Sequence, residues 1–165
     1  MDKSCYASYA AARAVLREDF ADGLKCFLND DFAGALVHFR AADKDADISD
    51  GLQSRYTSFH GLSRVCLGDN SGIKLCRKAA AGEVKDAEVY YNLALAEYHL
   101  DNLESAVTAL RHGLYLEPEH AGLLKLQRDM SLREPRILLP GLSHTHPVNR
   151  LLGKVFGRRR TGSVC

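Results

Sequence analysis

The sequence predicts an all-α fold: an α-α superhelix (a solenoid) of about three helical hairpins, closed by a C-terminal capping helix and followed by a basic extension. Three observations predict it. Apolar residues recur at helical spacing through most of the chain, with only four prolines and no Trp among 165 residues. A triplet of small, bulky and small residues returns three times, as Ala35, Phe39, Ala42, as Gly72, Cys76, Ala79, and as Ala106, Leu110, Gly113, at separations of 37 and 34. A small residue precedes each triplet by 11 or 12 positions, at Gly23, Gly61 and Ala94, where ridge-in-groove packing needs two backbones close together.

Taken in order, the chain opens on an apolar stripe of Tyr9, Ala12, Leu16, Phe20, Leu24 and Phe27, spaced for one continuous helix or two stacked ones. The first repeat, residues 16–47, keeps Gly23, Ala35, Phe39 and Ala42 but places Asp19 and Asp22 where apolar residues are expected. The second, residues 54–84, has Gly61 but uses Cys76 as its bulky residue and lacks a proline. The third, residues 87–118, is the clearest. Tyr90, Leu93, Ala94 and Tyr98 form one helical face, Asp101 and Asn102 interrupt it, and Leu103, Ala106, Val107, Leu110 and Leu114 resume it. Pro118 ends that second helix, since it lacks an N–H and disfavours helix just before it. A seventh helix is expected over residues 119–132, with Leu123, Leu124, Leu126, Gln127 and Met130 on one face; it caps the array, whose last hairpin would otherwise leave its core face wet. The helical repeat domain is thus expected over residues 1–132 and the basic extension over 133–165. Within the extension, residues 136–147 hold two prolines and no periodicity. A short amphipathic helix is expected over residues 147–157, with Val148, Leu151, Leu152, Val155 and Phe156 on one side.

Residues 87–118 resemble a tetratricopeptide repeat (TPR). Tyr90 fills the aromatic place, Leu93 and Ala94 the Leu-Gly place, Ala106, Leu110 and Pro118 the later places, and Asn92 stands where the family usually has Asn. The resemblance implies a superhelical array whose first helices line a concave groove for a peptide or amphipathic helix of a partner protein. Carried onto this chain, the groove residues are Phe20, Leu24, Phe27, Arg55, Ser58, Leu62, Val65, Tyr91, Asn92, Leu95, Tyr98 and His99. The set is mostly apolar, which suits a hydrophobic segment, and Asn92 offers a donor and an acceptor to a bound backbone. The implied role is non-enzymatic: an adaptor, scaffold or chaperone-like module. Family members that clamp the acidic C-terminus of heat-shock chaperones need several cations along these helices. Here Phe20, Leu24, Ser58 and Leu62 take those places and only Arg55 and Asn92 are left, too few for two carboxylates. A secretion-type chaperone of three such repeats is an alternative, although the basic tail is foreign to that pattern.

The net charge of +1 hides an uneven distribution: residues 133–165 carry +6 and residues 1–132 carry −5. The tail cations Arg150, Lys154, Arg158, Arg159 and Arg160 admit three partners. They can meet the chain's own acidic repeats, another subunit or partner protein, or RNA or an anionic membrane surface. The five cysteines form no C-x-x-C pair and read as small buried hydrophobes in a reducing compartment. Met1 to Cys5 lacks the apolar run of a secretory leader and no segment approaches a membrane span, so a cytoplasmic location is expected. No phosphate-cradling loop, H-E-x-x-H or G-x-S-x-G motif occurs, and no cofactor is implied. His144 and His146 lack nearby carboxylates and the remaining histidines are scattered over different helices, so neither a metal site nor a catalytic base is expected.

Overall fold

A computed structural model describes residues 17–46, 51–81 and 84–133. They form seven α-helices and no strand: α1 (Glu18–Leu28), α2 (Phe32–Asp45), α3 (Gln53–Cys66), α4 (Ile73–Ala79), α5 (Ala87–His99), α6 (Leu103–Leu116) and α7 (Ala121–Arg133). The described chain is all-α, as its periodicity predicts. The stripe residues Tyr9, Ala12 and Leu16 and the expected helix over 147–157 lie outside the described residues.

Helices pair as α1 with α2, α3 with α4, and α5 with α6, and each pair closes through the same three-residue turn. Its middle residue takes a left-handed conformation: Asp30 at φ 62°, Gly68 at φ 84° and Asp101 at φ 60°. Two backbone bonds accompany it each time. The N–H groups of Asp30, Gly68 and Asp101 donate to Phe27, Val65 and Tyr98 (3.2, 2.9 and 3.2 Å). Those of Asp31, Asp69 and Asn102 reach back to Cys26, Arg64 and Glu97 (3.0, 2.9 and 2.9 Å). This is the Schellman closure, which satisfies two carbonyls at the helix end and reverses the chain. The next helix then starts on a polar residue. Asp31 accepts from the Gly34 N–H at 2.9 Å and Asp69 from the Ser71 N–H at 3.0 Å, so both act as N-caps.

Consecutive pairs contact one another, α2 on α3, α3 on α5, α4 on α5 and α6 on α7, so the core runs unbroken from α1 to α7. Its first part is aromatic: Phe20 lies 5.4, 4.9 and 5.2 Å, centroid to centroid, from Phe39, Tyr56 and Phe59, joining three helices through one buried ring. Gly23 makes room for it, because a Cβ there would sit 2.6 Å from the Phe39 ring. Asp19 and Asp22 do not interrupt this face. The buried residues of α1 are Phe20, Gly23, Leu24 and Phe27, and Asp22 instead pairs with Lys25 at 2.6 Å. From the later turns of α3 onward the core is mainly aliphatic, through Leu62, Ile73, Ala94, Leu110, Leu123 and Leu126, with Tyr91 among them.

The second pair departs from the long second helix expected of it. A 3₁₀ turn, Asn70–Gly72, precedes an α4 of only 7 residues. Two backbones meet closely here: a Cβ on Gly61 would meet the Gly72 carbonyl oxygen and Cys76 Sγ, both at 2.7 Å, and one on Gly72 would meet the Gly61 carbonyl oxygen. Helix boundaries elsewhere move by a residue or two. α6 stops at Leu116, two residues before Pro118, and α7 starts at Ala121 rather than Glu119.

Gly61→Ala is therefore expected to destabilise the fold by roughly 1–3 kcal/mol, from a clash with backbone that cannot relax. Gly51→Ala, with nothing within 4 Å, should stay within about 0.5 kcal/mol of the natural chain. Asp101→Gly, at positive φ, should gain roughly 0.5–1 kcal/mol. Urea unfolding of the three variants reads all three values; equal midpoints for Gly61→Ala and Gly51→Ala would contradict the packing account.

Candidate functional site

Nine of the twelve candidate groove residues are buried in the folded chain: Phe20, Leu24, Phe27, Ser58, Leu62, Val65, Tyr91, Asn92 and Leu95. Arg55 and Tyr98 are part-buried, and His99 is exposed. A side chain without accessible surface meets a ligand only if its neighbours move aside, so the reachable part of this set is Arg55, Tyr98 and His99. The tail cations Arg150, Lys154, Arg158, Arg159 and Arg160 lie outside the described residues. Asn92, placed by its sequence position to meet a peptide backbone, instead donates from Nδ2 to Ser58 Oγ at 3.0 Å, with both side chains fully buried. Among the described residues its Oδ1 has no hydrogen-bond partner.

The Asn92–Ser58 bond belongs to a set of polar links between successive pairs. Asp43, near the end of α2, accepts from Gln53 Nε2 (3.0 Å), from Thr57 Oγ1 and from His60 Nδ1 (2.8 Å) on α3. Burial works to raise the Asp43 pKa, but the bonds from His60 and Thr57 outweigh it and hold the carboxyl below its usual range. Arg55 on α3 grips Asp86, the N-cap of α5, through two bonds of 2.7 and 2.8 Å. Arg77 on α4 grips Glu97 on α5 the same way, at 2.7 and 3.0 Å, and Asn102 adds a third donor to that nearly buried carboxylate at 2.9 Å.

His120 completes the set. Its Nε2 meets Glu88 Oε2 at 3.0 Å, and its Nδ1 accepts from the Leu123 N–H at 3.2 Å, capping α7. Burial is the largest influence on this imidazole and pulls its pKa down. The bond and charge of Glu88, with smaller help from Glu117 and Asp86, outweigh it and leave the pKa above 6.5. Protonation strengthens the link to Glu88 and gives up the longer bond from Leu123.

Three of these links join residues 31 to 34 positions apart, Arg55 with Asp86, Ser58 with Asn92, and Glu88 with His120. That is one repeat length. Pairing polar residues of the first helices one period apart would have found them; reading each histidine and arginine alone did not.

Chemically the described residues offer little. Cys76 is fully buried and its thiol is pushed up to about 12, chiefly by burial and then by the charges of Glu97 and Cys66, so it stays protonated and donates to the Ser58 carbonyl at 3.5 Å. Among the described residues no three His, Cys, Asp or Glu side chains gather as a metal would need, and no helix is long and apolar enough to cross a membrane. One open cleft of about 650 Å³ lies over α5, between the short α4 and α6. Tyr90, Leu93 and Glu97 form its floor, with Arg77 and Ala80 on one wall and Ser105, Thr108 and His112 on the other. Tyr90 and His112 stack within it, centroids 5.4 Å apart and planes 13° apart. Comparison of the chain with protein-family models, with curated proteins and with solved structures gave no match.

Because the folded-state pKa of His120 is raised, its link to Glu88 adds stability that is fully present below pH 6.5 and is lost as pH rises through the folded value. Unfolding free energies of the natural chain and of His120→Asn, which keeps a capping side chain, should differ most near about pH 5.5 and converge towards about pH 8.5. A gap that widens as pH rises would reverse the sign and refute the assignment.

Proposed function

We propose that the chain is a tetratricopeptide-like array that works as a non-enzymatic protein-interaction module, an adaptor, scaffold or chaperone-like holder for a peptide or helix of a partner. The observation that carries this reading is the recurrence of one closed unit. The left-handed turn residues Asp30, Gly68 and Asp101 stand 38 and 33 positions apart, near the 34-residue period of the family, and each follows a first helix that carries a small buried residue, Gly23, Gly61 or Ala94. Units of that kind expose two kinds of surface for binding, the first-helix face and the gaps between second helices, and carry no reaction chemistry of their own. On the first-helix face, Arg55, Tyr98 and His99 are the contact points the reading favours, with two of them on the last turn of α5.

A second reading has a specific observation behind it. The cleft over Tyr90 and Leu93 has a volume within the ~300–1,000 Å³ of ordinary binding pockets, and small or polar side chains line its far wall. A partner segment seated there would meet the Arg77–Glu97 pair at one side and Ser105 and Thr108 at the other.

Affinity purification with the full chain from the cells that make it tests both. Tyr98→Ala with His99→Ala should lose the specific partners, while Ser105→Arg with Thr108→Arg, which fills the cleft, should keep them. The opposite pattern moves the site to the cleft. Partners retained by both double variants would defeat the proposal.

A further inference from the structure

The second helices share a register set by Ala35, Gly72 and Ala106, and the residue after each makes an informative comparison. It is Leu36 in α2, part-buried, and Ile73 in α4, 8% exposed and part of the core. In α6 it is Val107, 40% exposed, with Leu103 one turn earlier 41% exposed. Leu103, Val107, Leu110 and Leu114 form one stripe along α6 at helical spacing. Leu110 is buried and Leu114 part-buried, so the stripe is covered at its C-terminal end and open at its N-terminal end. Asp101 and Glu104 flank the open end, both exposed and neither in an ion pair with a described residue.

The chain itself holds a matching occupant. α7 follows the turn at residues 117–120, touches α6 and ends at Arg133. Residues 134–146 can span up to about 40 Å when extended, ample for residues 147–157 to reach α6. That segment carries the amphipathic pattern, apolar at Leu151, Leu152 and Val155 and cationic at Arg150 and Lys154. The apolar side matches Leu103 and Val107, and the cations match Asp101 and Glu104. The charges of the two parts, +6 and −5, favour the same contact.

We propose that residues 147–157 dock in cis on the open stripe of α6. This is independent of where a partner binds. The chain has no Trp, so Val107→Trp gives a single fluorescent reporter at the contact. In the full chain its emission should be blue-shifted and weakly quenched by acrylamide. Adding Leu151→Asp and Val155→Asp should shift it to the red and raise quenching several-fold, with helical circular dichroism from the repeats unchanged. Should Val107→Trp itself disturb the fold, hydrogen exchange of residues 103–111 in the otherwise natural chain, with and without the two tail substitutions, reads the same contact as a several-fold loss of protection.

A reporter as exposed in the natural tail as in the substituted one, or exchange unchanged by the substitutions, overturns the proposal. So does burial that disappears on dilution, which would assign the occupant to a second copy. Burial that appears only with anionic vesicles would assign the tail to a membrane and overturn it equally.

Discussion

Three residues in left-handed conformation, Asp30, Gly68 and Asp101, set up everything else in this chain. Each lets a helix end in two backbone bonds instead of orphaned carbonyls, and each turns the chain back on itself within three residues. Once the reversal is so tight, the two helices must lie against each other along their length. Close approach then demands small residues at the crossing. Gly23 answers this by admitting Phe39, and Gly61 and Gly72 by bringing two backbones together. The second pair makes the sharper contact, and its α4 has 7 residues and is entered through a 3₁₀ turn. The cleft over α5 lies beside the end of this short helix, at Arg77 and Ala80.

The opposite edge of the stack is held differently. Polar side chains link α2 to α3, α3 to α5, α4 to α5 and α5 to α7. Asp43 gathers donors from Gln53, Thr57 and His60, Arg55 holds Asp86, and Glu88 meets His120. Part-buried ion pairs of this sort add little net stability against an apolar replacement, because desolvation offsets most of the attraction. Their directional bonds do fix how far one pair slides and rotates on the next, which apolar contact alone leaves loose. The apolar core supplies attraction, and the polar links supply register.

Much of this was legible in the sequence because helix–helix packing is periodic. The stripe of α5 and α6, the stop before Pro118, the small residues at Gly23, Gly61 and Ala94, and a helix after Pro118 all follow from spacing alone. The repeated turn was half legible: Asp101 and Asn102 marked an interruption, but not its left-handed geometry, since Asp30 and Asp101 stand where glycine is usual. The candidate groove was less legible. Periodicity says which face of a helix is apolar without saying what covers it, and Phe20 and Leu62, with no exposed surface, read the same in a sequence as residues on an open face. Asn92 shows the limit most plainly, because its partner Ser58 lies 34 residues away.

The sequence by itself determined the helices, their small-residue crossing points and the division of charge between the body and the tail. Those are properties of single segments, set by spacing, composition and backbone preference. Only the tertiary structure decided which apolar residues stay open, which carboxylates meet which cations, and that Val107 and Leu103 end uncovered while Ile73 does not. The reason is that exposure and ion pairing depend on what arrives from one repeat away, and a segment carries no record of its neighbour until the stack forms.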